Sequence, residues 1–317
     1  MPFAHKKPSF QDQIASFRKN YGAACRQSGL SQEEAEKHAD YITKGIVEKS
    51  SHPFSFPLFH RAIRSPFDHY HFGLDFIRPL IDFSKSHFEG QEIAKEMAAC
   101  VQKKENVILF SNHQSEGDPA VISLFLEKID PKFAEEMIYV AGHRVIQDPI
   151  AIPFSMGRNL LCIYSKKYCN HPPEKRGEKL RHNVKVLNKL LELLKEGGHS
   201  FYIAPSGGRD RKDASGKVQV APFDSSSIEM IYLLAKKSGK PCHFHTLALS
   251  SYHIMPPPEK LNIEIGEERL FAFAPCHIEF GKEINMEQFT GKTNQEIRKK
   301  RCAAIQRQVV DSYNTLR

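Results

Sequence analysis

The chain has no tryptophan, no C-x-x-C pair and no apolar run long enough to cross a membrane. Its longest apolar stretches, such as Leu160–Tyr164 and Thr246–Leu249, fall far short of the roughly 20 residues a membrane helix requires. Seven cysteines, odd in number and widely spread, fit reduced thiols and argue against both a disulfide framework and a cysteine-based zinc site. Neither a G-x-x-x-x-G-K-[ST] nor a G-x-G-x-x-G stretch occurs, so ATP and dinucleotides lose support. The missing G-x-S-x-G elbow weakens a serine hydrolase with a covalent acyl-enzyme. Residues 1–13 carry neither the apolar core of a secretory signal nor an Arg- and Ser-rich transit pattern. A cytoplasmic location is therefore expected, or the plastid stroma if the source is a plant.

What is present is a basic chain of 317 residues with a net charge of +8, long enough for one large domain or one large and one small. That charge favours acidic partners: phosphorylated metabolites, an acidic protein, anionic lipid or nucleic acid. The basic residues come as scattered pairs without interleaved aromatics, and no recognition motif occurs. A non-catalytic nucleic-acid-binding protein is thus the competing class, and nucleic acid is not expected as a partner.

Phe10, Ile14, Phe17 and Tyr21 recur at helical spacing, as do Ala35, Ala39, Ile42 and Ile46 behind the capping box Ser31–Glu34. Two amphipathic helices follow. The stretch 51–59, with two prolines and two serines, marks a boundary, so residues 1–52 are expected as a small helical domain and 53–317 as the catalytic domain. Beyond it short apolar runs at 107–110, 138–141, 160–164, 201–204, 245–249, 261–265 and 277–280 read as strands. Val184, Leu187, Leu191 and Leu194 make a helix face that should end in a left-handed cap at Gly197-Gly198. The alternation predicts an α/β fold, a mixed sheet flanked by helices with the helical domain at its N-terminus.

Directly after the run 107–110 stands N-H-Q-S-E-G-D-P-A at 112–120, with His113 and Asp118 five apart. A histidine leaving a strand into a loop can act as general base while a nearby carboxylate orients its ring. After the run 201–204 comes A-P-S-G-G-R-D-R-K-D, where Gly207 and Gly208 let backbone N–H groups approach an anion and Arg209 and Arg211 offer forked donors to phosphate. The plainer alternative is a solvated turn with mutual ion pairs. A third stretch runs from Gly157-Arg158-Asn159 to Lys166-Lys167. Arg158 and Lys166 are neighbours of a possible phosphate site, although Lys166-Lys167 alone would be surface charge. The groups Cys242-His243-His245 and Asp68-His69-His71 lack a second ligand pair, so no metal and no cofactor is expected.

Together N-H-Q-S-E-G-D-P-A, M-G-R-N-L-L-C-I-Y-S-K-K at 156–167 and A-P-S-G-G-R-D-R at 204–211 resemble the soluble, plastid-type glycerol-3-phosphate 1-O-acyltransferases. The resemblance implies transfer of a fatty acyl group from a thioester to the sn-1 hydroxyl of glycerol 3-phosphate. His113 would be the base, Asp118 its orienting partner, and Lys167, Arg209 and Arg211 the phosphate ligands. Tyr168 stands where the family is expected to carry a histidine. Acyl carrier protein is the favoured donor, acyl-coenzyme A the other, and a peripheral membrane contact is compatible with both. Lysophosphatidate is the alternative acceptor. Because a thioester is already activated, neither a Ser nor a Cys nucleophile is needed. Phe54, Phe56, Phe59 and the run Ile150–Met156 are candidates for an acyl tunnel.

Overall fold

The computed structural model describes residues 8–52, 54–258 and 266–316. Helices α1 (Phe10–Gln27) and α2 (Gln32–Ser50) each begin in a reciprocal capping box, Ser9 with Asp12 and Ser31 with Glu34. Their apolar stripes do not face solvent. Tyr21, Ile42 and Ile46 are fully buried, joined in one core with Phe72 and Phe76 of α3 (His69–Ile77).

The chain then alternates between strands and helices: β1 (Phe88–Glu89), α4 (Gln91–Gln102), β2 (Asn106–Ser111), α5 (Asp118–Leu126), α6 (Pro131–Glu136), β3 (Ile138–Gly142), α7 (Ile152–Ser155), β4 (Asn159–Ile163), α8 (Lys166–Cys169), α9 (Arg176–Glu196) and β5 (Ser200–Ile203). A short antiparallel pair, β6 (Arg211–Lys212) and β7 (Val218–Gln219), precedes α10 (Ser225–Ser238), β8 (Cys242–Ser250), β9 (His277–Phe280) and α11 (Asn294–Thr315). Among the described residues the main sheet has seven strands in the order β1-β9-β8-β2-β5-β3-β4. All pair in parallel except β8 with β9, so the sheet is mixed, as the alternation of patterns predicts. The run expected as a strand at 261–265 lies outside the described residues.

Every residue of β2 is buried. Its alternate side chains enter two separate cores, which is what a central strand covered on both faces requires. Val107 and Leu109 join the core under α1–α7, while Ile108 and Phe110 join the one under α9, α10 and α11.

Helix α9 departs from expectation. Its buried residues are Val186, Leu190, Leu193 and Leu194, and Val184 is 57% exposed. The stripe is rotated because the first turns stand on polar contacts: Asn183 donates to the Tyr164 carbonyl and accepts from its N–H, both at 2.8 Å. Nor is the cap left-handed helical. Gly197 takes φ 73° and ψ 160°, and a Cβ there would lie 2.4 Å from the Lys104 carbonyl oxygen, so only glycine fits.

Candidate active site

Because β2, β3, β4, β5 and β8 run in parallel, their carboxyl ends open on one edge of the sheet, where α/β proteins gather functional loops. His113 follows β2, Arg144 follows β3, Lys166 follows β4, Arg209 follows β5 and Ser251 follows β8. Loops distant in sequence therefore meet for a topological reason.

Asp118 is the first residue of α5 and is fully buried. Its Oδ2 accepts from His113 Nδ1 and from the Gln114 N–H, each at 2.8 Å. Its Oδ1 accepts from the Ser115 N–H at 3.1 Å, the Ser115 hydroxyl at 3.0 Å and the Ser251 hydroxyl at 2.6 Å. Burial pushes the Asp118 carboxyl up, but His113 and the other donors outweigh it and hold the group below its ordinary value. The charge also sits where the N-terminus of α5 favours an anion. An ionised carboxylate only accepts, so Nδ1 of His113 carries the shared proton and Nε2 remains as the basic nitrogen. The His113 side chain is 31% exposed, open enough to meet a second molecule.

The loop carrying His113 is locked from below. Asn112 donates to Asp210 Oδ2 at 2.8 Å and to the Leu249 carbonyl at 2.9 Å, and accepts from the Leu249 N–H. Gln114 donates to Asp210 Oδ2 at 3.1 Å and accepts from the N–H groups of Ser251 and Tyr252. Asp210 in turn donates its N–H to the His113 carbonyl at 2.7 Å. Burial raises the Asp210 carboxyl despite donors from Ala221, Asn112 and Gln114. Asn112, Gln114, Asp210 and Ser251 thus hold the His113 loop to β8 and to the 204–213 loop.

Arg209 is mostly buried, with Nη2 2.7 Å from the Glu267 carboxylate. Arg211 donates from Nη1 to the Pro258 carbonyl at 2.8 Å. Burial first, then the neighbouring Arg209 guanidinium, holds Arg211 below its ordinary value. Gly207 has φ 63°, the left-handed conformation that suits glycine, while Gly208 is exposed at the loop tip. Beside the two arginines lies a buried network the sequence analysis did not find. Arg269 bridges Glu116 at 2.8 Å and Asp148 at 3.0 Å. Burial raises the Glu116 carboxyl, and Arg269, Arg209 and Arg144 together bring it below its ordinary value. Arg144 donates to the Tyr168 hydroxyl at 2.6 Å, which ties Tyr168 to this cationic group.

The third stretch divides. Arg158 precedes β4 rather than following it, so it stands at the opposite end of that strand from Lys166 and is not a neighbour of Arg209 and Arg211. It is buried, donates to the Ser123 hydroxyl from Nη1 and stacks over Tyr70 at 4.8 Å. Asn159 accepts from the Ala62 N–H and donates to the Glu135 carbonyl, a structural role. Lys166 is exposed and paired with Asp224. The side chain of Lys167 lies outside the described residues.

An apolar cavity opens beside the His113 loop. Gly117, Pro119 and Ala120 line it near the base, with Ala141, Ile150 and Phe154 further in and Glu116 and Arg269 among its polar walls. The run Ile150–Met156 therefore contributes to this space. Phe54, Phe56 and Phe59 do not: Phe54 and Phe56 pack edge-on against each other and His60 instead. Three members of the two groups read as weak metal signals, Asp68, His69 and His245, have local structural roles. Asp68 caps α3, His69 Nδ1 lies 2.9 Å from the Pro153 carbonyl and His245 Nδ1 lies 3.0 Å from the Gly281 carbonyl.

Several known proteins are similar to this chain. The chloroplastic glycerol-3-phosphate acyltransferase of Spinacia oleracea is 45% identical over 308 residues, 94% of this chain and 64% of that protein. The chloroplastic glycerol-3-phosphate acyltransferase of Arabidopsis thaliana is 43% identical over 302 residues, 94% of this chain and 66% of that protein. The chain thus spans a little under two thirds of the length of these relatives. The crystal structure of the 1-acyl-sn-glycerophosphate acyltransferase PlsC from Thermotoga maritima covers 93% of this chain and 96% of its own, at 17% identity and a TM-score of 0.45. The model of the family described as Acyltransferase matches residues 86–254, more than half of the chain and every strand from β1 to β8. Since that segment carries the His113–Asp118 pair and the loop of Arg209 and Arg211, the chain belongs to the acyltransferase family.

Proposed function

We propose that the chain transfers a fatty acyl group from an acyl thioester to the sn-1 hydroxyl of glycerol 3-phosphate, the first step of phospholipid synthesis. The observation that carries this reading is the His113–Asp118 pair at 2.8 Å, set between the Arg209–Arg211 loop and an apolar cavity. Nε2 of His113 takes the proton from the sn-1 hydroxyl as its oxygen attacks the thioester carbonyl, and Asp118 stabilises the imidazolium that forms. The tetrahedral intermediate collapses by expelling the thiolate, which recovers the proton from His113. No covalent acyl-enzyme is required. Arg209 and Arg211, with Lys167 and the backbone at Gly207 and Gly208, take the phosphate. Arg209 exchanges the Glu267 carboxylate for it, an anion for an anion.

The cavity lined by Ala120, Ala141, Ile150 and Phe154 takes the acyl chain, because hydrocarbon gains about 0.8 kcal/mol per buried methylene there. The favoured donor is acyl carrier protein, whose acidic surface suits a chain of net charge +8, with acyl-coenzyme A as the other. Among the described residues no helix is long and apolar enough to cross a membrane. We place the protein in the cytoplasm, or in the plastid stroma if the source is a plant, in keeping with relatives named chloroplastic.

The test is acyl transfer from a radiolabelled donor, offered as acyl carrier protein and as coenzyme A thioester, to glycerol 3-phosphate and to lysophosphatidate. Product only with lysophosphatidate overturns the acceptor. A folded His113→Ala protein with near wild-type turnover overturns the mechanism, since a positioned base contributes about 10² to 10⁴ in rate.

A further inference from the structure

A second grouping of reactive side chains lies at the other end of the central strands and plays no part in the chemistry above. Cys100 is in the last turn of α4, Glu105 in the connection to β2, and His243 is the second residue of β8. Their sulfur, carboxylate oxygen and imidazole nitrogen all lie within 4.8 Å of one another, and each residue is partly buried. The backbone is folded to bring this about. The N–H groups of Lys103 and Glu105 both donate to the Cys100 carbonyl at 3.0 Å. Between them Lys104 takes φ 65°, the one positive φ at a non-glycine among the described residues. The turn carries Glu105 back over Cys100.

His243 uses its two nitrogens separately. Nε2 lies 3.0 Å from Glu105, while Nδ1 lies 2.9 Å from the Glu283 carboxylate beyond β9. A carboxylate on one imidazole nitrogen, with sulfur and oxygen donors facing the other, is how proteins aim a histidine at a metal and raise its basicity.

We propose that Cys100, Glu105 and His243 form a binding site for a divalent transition ion of the zinc class, with Glu283 orienting His243 through Nδ1. One thiolate, one imidazole and one carboxylate match zinc, whereas magnesium and calcium take oxygen ligands. Ligand atoms of a tetrahedral zinc stand about 3.5 Å apart, so the three close on the ion by small side-chain rotations. A water completes the fourth position. Burial and then the neighbouring Glu105 raise the Cys100 thiol, with Lys103 opposing, so the thiol is protonated beforehand. Binding of the thiolate releases the thiol proton to solvent. The ion would tie α4, β2, β8 and the segment after β9 together. It lies about 20 Å from His113, the length of a six-residue strand, so its effect is on stability rather than on acyl transfer.

Titration of the full chain in a non-thiol reductant with Zn²⁺, followed by calorimetry, should show one equivalent bound and a raised Tm. Co²⁺ should compete for it and give a thiolate-to-cobalt charge-transfer band. Cys100→Ser and His243→Asn should lose the equivalent and the band, and Glu283→Gln should weaken binding about 10- to 100-fold. Absence of stoichiometric binding, a cobalt complex without the thiolate band, or zinc affinity unchanged in Cys100→Ser and His243→Asn would each overturn the site. If those two variants do not fold, Glu283→Gln decides, since its side chain is 54% exposed and unaltered affinity there refutes the geometry. In that event His243 simply bridges Glu105 and Glu283.

Discussion

Replacing Asp118 by Asn is the most discriminating perturbation of the site, because the substitution keeps the shape and removes one acceptor. Five donors converge on the carboxylate, two of them backbone N–H groups on opposite oxygens, Gln114 on Oδ2 and Ser115 on Oδ1. An amide offers one oxygen. Whichever way it turns, one backbone N–H faces an NH₂ in a fully buried place, at a cost of about 1–3 kcal/mol. Loss of the charge-assisted bonds from His113 and Ser251 adds to this, so a total loss of roughly 2–5 kcal/mol is expected. With the NH₂ toward His113, Nδ1 becomes the acceptor and Nε2 carries the proton, so the base is filled. By analogy with the corresponding change in a Ser-His-Asp triad, kcat should fall about 10⁴-fold.

Urea unfolding and steady-state acyl transfer read the two effects separately. The Asp118 carboxyl is held below its ordinary value, so its contribution to stability is complete above the unfolded carboxylate value of about 3.9 and is lost as pH falls through the lower folded value. The Asn variant should therefore lose less stability than wild type across that acid window. An Asp118→Asn protein with the wild-type urea midpoint and turnover within tenfold of wild type would refute the reasoning.

Arg209→Ala and Arg211→Ala should raise the KM for glycerol 3-phosphate far more than that for the donor, and lysine at either position should restore little, because a point charge replaces a planar fork; unchanged acceptor affinity in calorimetry would count against a phosphate role. Glu267→Gln should lower the acceptor KM, since the carboxylate that occupies Arg209 is the group phosphate must displace. Ala141→Phe, which projects into the apolar cavity, should depress kcat/KM for long-chain donors more than for short ones, and an unaltered chain-length profile would place the acyl chain elsewhere. With acyl carrier protein as donor, kcat/KM should drop steeply as the Debye length shrinks from about 30 Å at 0.01 M to about 8 Å at 0.15 M salt, while acyl-coenzyme A shows a shallower slope. Parallel slopes would remove the protein-donor reading.

The legible parts of this chain were those whose determinants are local. β2 follows from four consecutive apolar residues, α1 and α2 from their caps and spacing, and the His113–Asp118 bond from a separation of five residues across one loop. Arg209 and Arg211 were legible as a loop after a strand. Their partners were not, because Glu267 is 58 residues from Arg209, and Arg269 is 153 from Glu116. Nothing in a pattern of period two or 3.6 registers a pairing made at that distance. The same limit explains the rotated face of α9, where Asn183 is held by Tyr164 just past β4, and the misplacing of Arg158, which precedes a strand whose far end points at the site.

The separation has a physical consequence for how the site is held. His113 can find Asp118 through its own loop, but the loop takes its position from Asn112, Gln114 and Ser251, which bind across to Leu249, Asp210 and Asp118. Those bonds exist only once β8 and β5 lie on either side of β2, since Leu249 and Ser251 stand at the end of β8 and Asp210 in the loop after β5. The base is therefore in register with Arg209 and Arg211 only in the completed sheet. A His113–Asp118 pair written locally and a scaffold written at long range divide the work: the first sets which nitrogen carries the proton, the second sets where the ring points.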